Sequence, residues 1–236
     1  MARLPRLALA AQAHLVLLSG LDHQPIVRDD EDRRRCLAGL REAAAHESVA
    51  IHAHALLDDR LRLLLTPTTS AAAISRMVQG LGRRYVGPFN RRHGRRGTLW
   101  DGRFRATVVQ PGELALQAQV FVDTEAVRAG LLSEAADHAW CSAGHHLGRR
   151  RDPWITPLMD HWRLGNTPFE RESAYARRLA EGLPASVAAR LAEANHKGWA
   201  MGDASFVRWV AEQTARPAAP RLRGRPSKAS KLSTRA

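Results

Sequence analysis

Cysteine is nearly absent, with only Cys36 and Cys141 in 236 residues. Two cysteines cannot build a disulfide framework or a cysteine-rich zinc site, and the scarcity suits a reducing cytoplasm. No uninterrupted apolar run approaches the ~20 residues that a membrane-spanning helix needs. Residues 1–18 contain several apolar side chains, but His14 interrupts them and no small-x-small cleavage site follows, so they read as the approach to a first strand rather than a signal peptide. Acidic residues are missing from two stretches. Residues 76–105 carry nine arginines against the single acid Asp101, and residues 216–236 carry seven lysines and arginines and no acid. The net charge of +13 is concentrated there, and the remainder of the chain is close to neutral. Charge segregated in this way points to a polyanionic partner more than to general solubility.

What is present suffices for one core with appendages, since 44% of the residues are hydrophobic and 25% charged. Residues 14–19 (His-Leu-Val-Leu-Leu-Ser) read as a strand closed by Gly20. The acidic run Asp29-Asp30-Glu31-Asp32 suits the start of a helix reaching about His46, with Cys36, Leu37 and Leu40 on its apolar face. Residues 51–67 then read as two strands meeting at Asp58-Asp59, stopped by Pro67. A second helix starts at Ser70, with Ile74, Val78, Leu81 and Tyr85 at helical spacing, and Pro88 is expected to kink or end it. Residues 105–110 give a fourth strand, and Pro111-Gly112 opens a helix to about Arg128. This order predicts an α+β fold of ferredoxin-like type, a four-stranded antiparallel sheet with helices on one face. The chain divides as this unit over 1–135, an irregular connector over 136–169, a helical region over 170–215 and a disordered basic tail over 216–236.

Strand alternation puts Arg60 and Arg62 side by side on one face and Leu61 and Leu63 on the other. Two adjacent guanidiniums can grip phosphate. Further basic candidates for nucleic-acid contact are Arg76, Arg83 and Arg84 on the second helix, then Arg91, Arg92, Arg95, Arg96 and Arg103 in a loop interleaved with Phe89, Trp100 and Phe104. For the three aromatics alone, burial in the core is the simpler reading. Arg223-Gly224-Arg225-Pro226 has the wording of a minor-groove hook, set against a basic tail with no fixed partner. His52-Ala53-His54 is a His-x-His on one strand face and the one candidate metal pair. Structural strand histidines explain it better, because so short a motif is common by accident.

The phrases Gln24-Pro25-Ile26-Val27 with Asp29 to Asp32, Arg60-Leu61-Arg62-Leu63-Leu64-Leu65-Thr66-Pro67, Phe89-Asn90-Arg91-Arg92 through Gly97-Thr98-Leu99-Trp100 to Arg103-Phe104, Val127-Arg128-Ala129-Gly130 and Lys197-Gly198-Trp199 occur in a characteristic order. In that order and spacing the chain resembles the REP-associated tyrosine transposases, a branch of the HUH single-strand DNA transposases. The resemblance runs over nearly the whole chain. It implies a substrate of hairpin-forming or single-stranded repetitive DNA, a divalent metal such as Mg²⁺ or Mn²⁺ held by paired histidines, and a tyrosine nucleophile. In this sequence Arg60 and Arg62 stand at the histidine positions, and Phe121 stands at the tyrosine. Asp123-Thr124-Glu125-Ala126 departs from the family wording beside it. Arginine offers a metal no lone pair and phenylalanine has no oxygen, so the expectation is a DNA-binding protein that has lost the metal and the nicking chemistry. Rival readings are an active transposase or endonuclease that uses Tyr85 or Tyr175, the only tyrosines, and an RNA-binding protein on the shared sheet topology. The strands lack the aromatic platform such RNA modules use.

Overall fold

The computed structural model describes residues 6–214 and 216–220, and Arg223, Arg225 and their neighbours lie outside that range. Four strands form one antiparallel sheet in the order β2-β3-β1-β4: β1 (Ala13–Ser19), β2 (Val49–Leu56), β3 (Arg60–Pro67) and β4 (Arg105–Val109). Helices α1 (Asp30–His46) and α2 (Ala73–Arg92) are the crossovers, which gives the α+β, ferredoxin-like arrangement. Asp29 caps α1 by accepting the Asp32 amide at 3.0 Å, and three acids follow in the first turn, where the helix dipole favours them.

The two faces of the sheet bury different residues because β3 alternates. Leu61, Leu63 and Leu65 pack with Val16, Leu18, Leu40, Leu81 and Tyr85 beneath α1 and α2. On the other face, Leu15, Ala53, Ala55 and Leu64 pack with Phe121, Val122 and Leu191. The ferredoxin-like helix pair therefore lies on one face, and the opposite face is covered as well. Its cover comes from α3 (Glu113–Asp123), α4 (Glu125–Arg128) and α7 (Ala185–Lys197). Cys36 lies in the first core and Cys141 in the second, and both are free thiols that burial pushes up to about 12.

Contrary to the sequence expectation, α2 runs unbroken through Pro88 to Arg92. Proline removes a single amide near the helix end, while Tyr85 and Phe89 on either side are buried, and Tyr85 donates its hydroxyl to the Ile26 carbonyl at 2.6 Å. Burial and that bond hold the last turns.

The chain beyond α4 runs against both sheet edges. Leu56 donates to Trp140 O at 3.0 Å, Ser142 to His54 O at 2.9 Å and Thr156 to Ile51 O at 2.8 Å, so the segment around α5 (Ala143–His146) lies along β2. Helix α6 (Pro168–Glu181) starts at a capping box between Thr167 and Glu170. After α7, Met201 donates to Val108 O and Gln110 to Met201 O, each at 2.8 Å, which covers β4 before α8 (Ala204–Thr214). These bonds cover part of the outer side of each edge strand. None of the described helices is long and apolar enough to cross a membrane.

Candidate nucleic-acid interface

Arg60 and Arg62 leave β3 on the second face, as the alternation requires, and meet α3 and α4 there. The spacing of Phe121, Glu125 and Arg128, four and then three residues, places all three on one side of that helical run. Glu125 is 3% exposed and lies at the centre. Its Oε2 is 2.8 Å from Arg62 Nε, an ion pair without hydrogen-bond alignment, and its Oε1 accepts from Arg62 Nη2 at 3.2 Å. Arg60 Nη1 stands 3.6 Å from Oε1, and Arg128 Nη2 donates to Oε2. Arg62 is completed by Asn195 of α7, whose Oδ1 accepts at 2.9 Å, while Asn195 Nδ2 donates to Leu15 O at 2.8 Å. The Phe121 ring carries a guanidinium at 3.7 Å from Arg128 and another at 4.9 Å from Arg62. Burial, opposed by Glu125 and reinforced by Arg62 and Arg60, lowers the Arg128 pKa to about 10.

A cleft of about 460 Å³ opens over this network, walled on its far side by Ala188, Ala189 and Ala192 of α7. Alanines at those positions keep the helix from filling the space. Including Asp59, which accepts from Arg60 Nε at 2.9 Å, the site sets three guanidiniums against two carboxylates. Two bare cations awaiting an external anion is thus the wrong picture of Arg60 and Arg62. Glu125 neutralises Arg62 within the fold, and Arg62 is only 7% exposed. The side chains that keep an outer surface are Arg60, 35% exposed, and Arg128, 26% exposed. Sequence reasoning missed Arg128 and Asn195. Helical spacing from Phe121 could have found Arg128, but Asn195 lies 133 residues from Arg62 and leaves no local signal.

This donor set does not fit a divalent metal. Guanidiniums cannot ligate, and the one carboxylate at the centre is already shared among three of them. His52 and His54 do not supply a substitute. A register shift between Ile51 and Ala53 breaks the alternation, so the two rings are not the one-face pair that the spacing implied. His52 Nδ1 donates to Thr156 O and its Nε2 accepts from Thr66 Oγ1, both at 2.8 Å, while the His54 ring packs on Trp154 at 4.9 Å. Among the described residues no group of three or more His, Cys, Asp or Glu could hold a metal ion.

Neither tyrosine is placed to act as a nucleophile. Tyr85 is 2% exposed with its hydroxyl spent on Ile26, and burial pushes its pKa up. Tyr175 is fully buried and donates to Asp123 Oδ2 at 2.7 Å. Asp123 also accepts from Ser142 Oγ and from His146 Nδ1, the latter at 2.6 Å. Burial works against the Asp123 carboxylate, yet the charge and hydrogen bonds of His146, Ser142 and Tyr175 outweigh it and hold its pKa low. This knot ties α3, α5 and α6 together.

The other basic candidates divide into two sets. Arg76 pairs with Glu47 at 2.5 Å, Arg84 with Glu42 at 3.2 Å, and Arg92 with Asp29 and Asp32 at 2.7 Å and Glu31 at 3.2 Å. Helix α1 thus neutralises one side of α2. Among the described residues Arg83, Arg91, Arg96 and Arg103 are exposed and have no acidic partner, and Arg95 lies over the Phe89 ring at 5.7 Å. Phe89 is buried, whereas Trp100 and Phe104 are partly buried.

No family model matches the chain, and no curated protein matches its sequence. Among solved structures it is similar to a REP-associated tyrosine transposase bound to a REP hairpin, with a TM-score of 0.51 and 9% identity over 68% of this chain and 93% of that one. A second, described as a "putative transposase" from Deinococcus radiodurans, aligns with 47% of this chain and 88% of its own at 22% identity and a TM-score of 0.35. The first likeness establishes a shared transposase-type fold.

Proposed function

We propose that this chain binds hairpin or single-stranded repetitive DNA and does not cut it. The observation that carries the reading is the contact of Phe121 with Arg62 and Arg128 around Glu125. At the positions where the resemblance puts a nucleophile and a metal, this chain has an apolar ring and a closed ion-pair network. Cutting through a phosphotyrosine needs a phenolic oxygen that Phe121 lacks. Binding needs only cations and a groove, and Arg60 and Arg128 at the rim supply a place for one phosphate, with Arg62 as their internal support.

Incubating the protein with a labelled hairpin and Mg²⁺ or Mn²⁺ tests both halves. The expected result is a retarded complex, unaffected by EDTA, and no denaturation-resistant adduct. Phe121→Tyr alone should stay inert, because the metal positions are still arginines. An adduct mapped by mass spectrometry to Tyr85 or Tyr175 would overturn the reading.

A further inference from the structure

The arginines that no acid neutralises gather on the outer side of α2 and on the strap of residues 94–103 that follows it. Arg83, Arg91, Arg96 and Arg103 are exposed, and among the described residues none of the four has a hydrogen-bond or ion-pair partner. We infer, resting on the DNA-binding reading, that this surface carries the paired stem of a DNA hairpin, its guanidiniums on the phosphates of the duplex backbone.

Local structure brings the four together. Arg83 and Arg91 are eight residues apart, about 12 Å along α2 at ~1.5 Å per residue, and exposed Gly87 midway adds no side chain that would hold a ligand off. Beyond Arg92 the chain turns back at Gly94 and Gly97, where φ is 61° and 85°. Arg95 donates its amide to Asn90 O and Asn90 Nδ2 donates to Gly97 O, each at 2.8 Å, which folds the strap onto the last turn of α2. The strap then returns to Gly82, where an added Cβ would stand 4.0 Å from Trp100 Nε1, so it runs beside Arg83. Asp101 donates its amide to Ser19 O at 2.8 Å, and Ser19 faces Arg60 across β1 and β3. Strap and Arg60 therefore share one end of the sheet, where a single hairpin can meet both.

Charge decides the kind of partner, and the aromatics decide its form. Arg76, Arg84 and Arg92 are already paired with Glu47, Glu42 and Asp32, whereas the four unpaired arginines meet a single acid on the same stretch, Asp101. A polyanion supplies the counter-charge that this chain does not. An unpaired strand binds through bases stacked on aromatic rings. Phe89 is buried in the first core, Trp100 and Phe104 pack against that core, and none of the exposed large hydrophobic side chains is in α2 or the strap. With cations outermost and rings beneath them, the surface holds phosphates and offers bases nothing to stack on, which suits a duplex whose bases stay paired.

Fluorescence anisotropy of the intact protein tests this with a labelled blunt DNA duplex of about one helical turn, roughly 34 Å long, an RNA duplex of the same sequence and a DNA single strand lacking self-complementarity. The probe variant is Arg83→Glu/Arg96→Glu, and Arg34→Glu/Arg41→Glu makes the same charge change on exposed, unpaired arginines of α1. The probe variant should lose about ten-fold in affinity for duplex DNA, its salt slope becoming shallower by about 0.9 for each phosphate no longer neutralised, and lose much less for the single strand. Arg83→Gln/Arg96→Gln, which adds no acid, should give a smaller loss in the same direction. The α1 variant should bind the duplex as the parent does. Duplex binding by both Arg83/Arg96 variants as tight as the parent's would overturn the inference, and so would an equal loss in the α1 variant, because the effect would then belong to net charge. A loss for the single strand as large as that for the duplex would overturn the assignment to a paired stem. Parent protein that binds the single strand but not the blunt duplex overturns the inference and leaves the DNA-binding reading standing, whereas failure to bind any DNA sinks both. Tighter binding of the RNA duplex would overturn the assignment to DNA.

Discussion

Glu125 decides what Arg60 and Arg62 can do. Arg62 is buried, and a buried guanidinium without a counter-charge is costly, so a carboxylate supplied from within the chain is a condition of folding. Glu125→Gln keeps the shape and removes the charge, leaving Arg60, Arg62 and Arg128 around a neutral amide. The expected cost is about 3 kcal/mol, since breaking a buried pair by removing one partner falls at roughly 3–5 kcal/mol. Urea unfolding measures it. A loss under about 1 kcal/mol, the range of surface pairs, would show that the network is solvated and that Arg62 is free for an outside ligand.

At the scale of single elements, the strands and their facing were legible in the sequence because they follow from alternation. The pairs Leu61 with Leu63 and Arg60 with Arg62 separate onto the two faces as period two demands. Phe121 could be placed opposite the arginines because Val127-Arg128-Ala129-Gly130 fixed the register of the resemblance. What stayed hidden depends on tertiary packing. The continuity of α2 through Pro88 rests on buried Tyr85 and Phe89, the separation of His52 from His54 on a bulge, and the Asp123 knot on three elements distant in sequence. The basic block of α2 looked uniform only because its neutralising acids are on another helix.

Strand histidines also set a pH response. On β1, His14 Nδ1 donates to Gln12 O at 2.7 Å and its Nε2 accepts the Leu9 amide at 3.2 Å, the pattern of a neutral ring. Burial lowers the pKa of His14 from 6.5 to about 4, and burial followed by Arg150 lowers that of His54 on β2 to about 3. Between those values and 6.5 the unfolded chain binds more protons than the folded one. The stability is therefore fully present above 6.5 and is lost as pH falls through the window toward 4 and 3. Between about pH 7.5 and about pH 5 the loss should be on the order of 2 kcal/mol for His14. Urea unfolding at about pH 7.5 and about pH 5 should show the drop, and His14→Gln should reduce it. An equal drop in the variant would assign the response to other groups.

For the molecule as a whole, the positive charge is not one surface. Helix α1 neutralises part of α2, and Glu125 neutralises the centre of the cleft walled by α7. The C-terminal segment has two parts. Arg216 and Ala218 belong to the fold, since Arg216 donates to Gly198 O and Ala200 donates to Ala218 O at 2.8 Å, and Ala218 is 2% exposed. A truncation before Arg216 would remove those bonds along with the charge and confound the two effects. Removing residues 221–236 instead deletes six lysines and arginines and no acid. If those cations meet phosphates, a plot of log affinity against log salt for hairpin DNA should become shallower by roughly 0.7–0.9 for each phosphate left without its cation. Any preference for the hairpin over a random duplex should survive, because cations on phosphates add affinity without reading sequence. An unchanged slope would mean that residues 221–236 take no part in binding, and that the measured salt dependence comes from Arg60, Arg128 and the exposed arginines of the 91–103 segment.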